Sequence, residues 1–189
     1  MTPRPVRRQR RAGRPEPDAT QHDLGPPADP ESVARTIVLT KLTAQARSRH
    51  ELAGALAAKA VPPDVAERVL DRFTEAGLVD DAAFADAWVQ SRQRTRGVAR
   101  RALAHELRGK GVDDSVIRDS LDQIQPDDER DTARALVARK LRSTRGLDRA
   151  TRTRRLAGLL ARKGYPAGLA MQVVREALAE DAAEVSGRE

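Results

Sequence analysis

The sequence predicts an all-α protein: three tandem three-helix repeats in an elongated array, behind a disordered, basic N-terminal tail. Three observations predict it. Apolar residues recur at helical spacing from residue 31 onward. A short phrase returns three times, as "LAAKAV" at 56–61, "LRGKGV" at 107–112 and "LARKGY" at 160–165. Its lysines, Lys59, Lys110 and Lys163, recur roughly every 50 residues, a period typical of repeat architectures. No alternating Val/Thr/Tyr run is flanked by hairpin turns, so no sheet is expected.

Residues 1–30 hold seven of the eleven prolines and Arg4, Arg7, Arg8, Arg10, Arg11 and Arg14, with almost nothing apolar to bury. This is the expected disordered tail. It either adds phosphate affinity or simply solubilises the chain. The first repeat spans 31–77. Ala34, Ile37, Val38 and Leu42 form the stripe of its first helix, Leu52 and Leu56 of its second, and Val65, Val69 and Leu70 of its third. The second repeat spans 78–126, with Phe84 and Trp88 paired at i,i+4, then Leu103 and Leu107, then Val116, Ile117 and Leu121. The third spans 127–182, with Ala133, Leu136, Val137 and Leu141, then Leu156 and Leu160, then Leu169, Val173 and Val174. Residues 183–189 are expected to be a flexible C-terminus.

The recurring phrase ends the second helix of each repeat. In the middle copy Gly111 takes the left-handed conformation that stops a helix without a Cβ clash. Val112 then meets Leu107 across the stop, and Asp113 or Asp114 caps the next helix. The third copy repeats this with Gly164, Leu160 and Tyr165, and Pro166 opens the following helix. The first copy has Ala60 at the glycine position, so that turn is strained or closes differently. Each lysine suits the negative helix end. The alternative is that it contacts a ligand.

Composition excludes several classes. Hydrophobic residues make up 39% of the 189, charged residues 33% and aromatics 2%, with mean hydropathy −0.61. The cores are therefore small and built from Leu, Val, Ile and Ala. No apolar run is long enough to span a membrane, and no signal-peptide core is visible. Cysteine is absent, which removes disulfides and thiolate chemistry and fits a cytoplasmic protein. His22, His50 and His105 have no metal-ligand spacing, and no complete phosphate loop is present. No catalytic, cofactor or metal residue is expected.

Net charge is +7 and pI about 10.6. The cations are segregated. Residues 92–110 hold seven basic residues against Glu106, and 139–163 hold ten against Asp148. The intervening 113–131 holds eight acids and two arginines. Stacked repeats would align the two basic links into a strip suited to a long anionic object. The candidate strip is Arg92, Arg96, Arg100, Arg101, Arg108, Lys110, Arg145, Arg149, Arg152 and Arg155. Without interleaved aromatics it is not a base-stacking platform. The alternative is a solvated face inflated by an Arg/Ala-rich composition.

The stretch "LVDDAAFADAWVQSRQRTRGVARRALAHELRGKGVDDSVI" (78–117) resembles the signature region of RecX, the bacterial modulators of the RecA recombinase. The matching residues are Asp80, Asp81, Phe84, Ala85, Arg92, Leu103, Leu107 and Lys110-Gly111-Val112. Residues 47–81 and the third copy resemble the flanking units, and coverage is about residues 31–180. The resemblance implies a curved array that binds the groove of the RecA–DNA filament; a monomer is expected. It would restrain strand exchange, ATP hydrolysis and coprotease activity in DNA repair and the SOS response. No catalytic residue transfers, and the strip is carried over only as Arg92, Arg96, Arg100, Arg101, Arg108 and Lys110. Single- or double-stranded DNA is an expected partner through the same surface. Two other classes remain. One is an independent DNA-binding protein using 100–121 as a helix–turn–helix. Its second helix is acidic, which a major groove repels. The other is a protein scaffold with no nucleic-acid partner.

Overall fold

The computed structural model describes residues 29–186, so all but the last two residues of the expected tail lie outside the described residues. Pro30 opens the first helix instead, and Asp29 caps it. The Asp29 carboxylate accepts from the backbone N–H groups of Glu31 and Ser32, and Pro30 takes the first helical position, where no N–H is needed. The described residues form nine α-helices and no strand. The first unit is α1 (Pro30–Ala44), α2 (Arg49–Ala57) and α3 (Pro63–Glu75). The second is α4 (Asp81–Arg96), α5 (Arg100–Arg108) and α6 (Asp114–Asp122). The third is α7 (Pro126–Leu141), α8 (Arg149–Arg162) and α9 (Ala167–Ser186), with a 3-10 turn, Arg142–Thr144, after α7. The helix α9 continues past residue 182, where the sequence closes the third repeat.

Each unit has its own core. Ala34, Val38, Leu52, Leu56, Val69 and Leu70 are essentially inaccessible in the first. Phe84, Ala85, Leu103, Leu107 and Ile117 fill the second, and Ala133, Val137, Leu156, Leu160, Val173 and Val174 the third. These are the expected stripes. Burying a side chain of this size contributes about 1.5–3 kcal/mol, so each small core rests on a handful of residues.

The three corners close identically. In each, one N–H reaches the carbonyl five residues back: Val61 to Leu56, Val112 to Leu107 and Tyr165 to Leu160, all at 3.2 Å. A second N–H reaches three back: Ala60 to Ala57, Gly111 to Arg108 and Gly164 to Ala161, at 2.9–3.0 Å. This is the Schellman stop. The left-handed residue has φ 55° at Ala60, 71° at Gly111 and 88° at Gly164. Ala60 therefore does not close differently; it adopts the strained conformation.

Neighbouring units explain why alanine is tolerated only there. A Cβ on Gly111 would lie 2.2 Å from the His50 ring of the first unit. A Cβ on Gly164 would lie 2.6 Å from Ala102 Cβ of the second. Each glycine is where one corner presses on the preceding unit. The first corner has no preceding unit among the described residues, and Lys59 and Ala60 are exposed. Ala60→Gly should raise stability by roughly 0.5–1 kcal/mol by relieving the left-handed alanine. Gly111→Ala should lower it by about 2–3 kcal/mol, since clash adds to strain. Urea unfolding of the two variants checks both signs.

Candidate nucleic-acid interface

The joints between units take up Lys110 of the expected strip, together with backbone groups of Arg96 and Arg100. At the first joint, Ser48 Oγ donates to the Lys110 carbonyl at 2.6 Å. Lys110 Nζ donates to Glu51 at 2.8 Å and lies 4.2 Å from the Trp88 ring centroid. The Arg49 backbone N–H donates to the Asp81 carboxylate at 2.8 Å. The second joint repeats the plan. The Ala99 N–H donates to the Lys163 carbonyl at 2.9 Å, and Lys163 Nζ donates to the Arg96 carbonyl. The Arg100 N–H donates to the Glu129 carboxylate at 3.0 Å. Asp81 and Glu129 thus occupy matching places, each capping the second helix of the unit before it. Tyr165 adds a hydroxyl bond to the Gly97 carbonyl at 3.1 Å. Its burial, with the charge of Glu129, pushes its pKa up to about 12.

The Glu51 carboxyl shows how these contacts work. Burial alone would raise its pKa, but hydrogen bonds from Lys110 and the Ser48 N–H, with the charges of Lys110 and Arg47, hold it below the usual range. Ser48 and Glu51 also form a reciprocal capping box on α2. That S-x-x-E spacing is legible in "SRHE" and is the signal that marks this joint in the sequence.

Six of the ten strip residues are held by carboxylates of this chain. Arg92 pairs with Glu106 at 3.1 Å and lies 4.1 Å from the Trp88 centroid. Arg100 pairs with Asp122 at 2.8 Å, Arg108 with Asp114 at 2.7 Å, and Lys110 with Glu51. Arg145 and Arg152 both pair with Asp181, at 2.6 and 2.5 Å. Asp181 is buried on α9 and has no counterpart in the sequence reading. Its two guanidinium partners hold its carboxyl below the usual range.

Arg96, Arg101, Arg149 and Arg155 are exposed and make no ion pair among the described residues. Arg101 lines a groove of about 810 Å³ between α5 and the α8–α9 pair, with His105, Arg108, Arg162, Tyr165 and Met171. Arg155 lines a smaller cleft, of about 350 Å³, with Lys140, Arg154, Leu159 and Arg162. Arg162 borders both depressions, so cations of the second and third units come together around α8. Lys140, Arg154 and Arg162 belong to the basic stretch 139–163 but not to the candidate strip. Among the described residues no cluster of His, Asp or Glu could hold a metal ion.

Comparison with known proteins decides the family. Three RecX family models match in chain order: the first three-helix domain over residues 34–73, the second over 80–121 and the third over 127–174. The chain belongs to the RecX family. The protein named regulatory protein RecX in Streptomyces lividans is 56% identical over 156 residues, covering 82% of this chain and 83% of that one. Its namesake in Thermobifida fusca is 52% identical, covering 85% and 90%. A crystal structure of RecX from Lactobacillus salivarius shares the fold, with a TM-score of 0.72 at 19% identity over 79% of this chain and 97% of that one.

For this RecX family member, Lys110→Met should lower stability by about 1–3 kcal/mol, because it removes an ion pair and a cation–π contact together. Thermal unfolding checks this. Asp181→Asn should narrow the pH dependence of stability. The depressed carboxyl stabilises the fold above the ordinary Asp value of 3.8 and loses that effect as pH falls through its lower folded value. Melting curves from pH 6 to pH 2 (roughly) should show the gap between wild type and variant closing only at the acid end.

Proposed function

We propose that this chain is a non-catalytic regulator that binds the RecA–DNA filament and restrains recombination, ATP hydrolysis and coprotease activity. The support is family membership together with one structural feature. Several acids of the repeats are engaged in caps, joints and ion pairs, whereas several arginines around α8 are exposed and make no ion pair among the described residues. Unpartnered cations on a rigid multi-unit scaffold suit a long polyanion or an acidic filament groove. The joints fix the units, so a bound array would span successive filament subunits and obstruct their motion. The chain acts as a monomer in the cytoplasm in this reading.

The helix–turn–helix alternative has less support. Its second helix, α6, begins with Asp113 and Asp114 and carries exposed Asp119. Phosphates flanking a major groove repel that end.

Substoichiometric protein should inhibit the DNA-dependent ATPase of RecA. Replacing Arg96, Arg101, Arg149 and Arg155 together with Ala should weaken inhibition roughly tenfold or more and flatten its salt dependence. Absence of inhibition by the wild type, with tight binding to naked duplex, would favour the independent DNA-binding reading instead.

A further inference from the structure

The cleft between α7 and α8 gathers four cations that no carboxylate neutralises among the described residues. Lys140 comes from the last turn of α7, and Arg154, Arg155 and Arg162 come from α8. All four side chains are exposed, none is in an ion pair among the described residues, and no acid lines the cleft. This contrasts with the strip residues Arg92, Arg100, Arg108, Lys110, Arg145 and Arg152, each neutralised by a carboxylate. Four like charges around one depression repel one another and lower the stability of the free protein. A polyanion seated there reverses that repulsion.

We infer that this cleft binds the phosphodiester backbone of a nucleic acid strand without reading its bases. The inference rests on the nucleic-acid part of the proposed function and gives it a place. Guanidinium forks match phosphate oxygens in pairs, and Lys140 adds a point charge. Arg155 and Arg162 are seven residues apart on one helix, about 10 Å along its axis. That distance spans more than one phosphate, so the site fits a chain of phosphates rather than a single anion. Leu159 is the one large apolar residue lining the cleft. No aromatic lines it, so bases have nothing to stack on and sequence preference is weak. Arg162 also borders the α5–α8 groove beside Arg101, which gives the strand a continuation toward the second unit.

The test uses the full chain and fluorescein-labelled oligothymidylate in a salt titration. The variant R154A/R155A/R162A is compared with R35A/R68A/R175A, which removes the same charge elsewhere. The cleft variant should lose roughly tenfold or more in affinity at about 0.1 M salt, and its log–log salt slope should flatten by about 2. The control variant should change little. Equal losses in the two variants, or an unchanged slope in the cleft variant, overturn the assignment. Retained oligonucleotide binding with lost inhibition of the RecA ATPase also overturns it, because the cleft would then contact protein carboxylates. The reverse result, lost oligonucleotide binding in a protein whose wild type never inhibits RecA, supports the cleft while removing the filament role. Thermal unfolding of R154A/R155A/R162A, which changes only exposed side chains, checks that the folded state is being compared.

Discussion

The close approach of each glycine corner to the unit before it is the constraint on which the array depends. A lysine carbonyl can accept from the start of the neighbouring second helix only if no Cβ stands between them. Gly111 and Gly164 meet that condition against His50 and Ala102. With each corner seated against the preceding unit, the lysine side chain crosses the joint, and a carboxylate from the next first helix caps the same helix start. One phrase therefore serves as helix stop, spacer and clamp. The outer corner at Ala60 keeps the left-handed turn without the glycine, because nothing among the described residues presses on it.

The distribution of charge follows from these joints. Helix starts and joints draw on carboxylates: Glu51, Asp81 and Glu129 at the joints, and Asp122, Asp114 and Asp181 on individual arginines. Those arginines and lysines are structural ties, and their positive charge is locally cancelled. The third unit is different. Its second helix carries Arg149, Arg154, Arg155 and Arg162, with Asp148 as its N-cap, and these four are exposed and make no ion pair among the described residues. Among the described residues, a group of exposed cations without ion pairs therefore collects around α8, in the third unit.

Much of the fold was legible in the sequence. Helical periodicity located the nine helices and their core stripes, and the corner chemistry followed from the helix-stop rules alone. The paired roles of Lys110 and Lys163 were not legible, because a lysine at a helix end looks the same whether it meets solvent or another unit. The Ser48–Glu51 capping box was written in the sequence as S-x-x-E, but its link to Lys110 crosses 62 residues. Asp181 gave no signal, since its partners Arg145 and Arg152 lie far upstream in a stretch read as free cation. A charge tally measures excess positive charge without showing which cations are already paired. For that reason it does not separate Lys110, which pairs with Glu51, from Arg155, which makes no ion pair among the described residues.

Hydrogen exchange on this chain, free and bound to RecA–DNA filament, is the most direct measurement of the central claim that joints are structural and the α8 region makes contact. The account expects new protection in peptides covering the end of α7 and all of α8, with weaker protection along α5. Peptides of α3 and α6 should exchange as they do in the free protein. Protection centred on α3 or α6, with α8 unchanged, would contradict it.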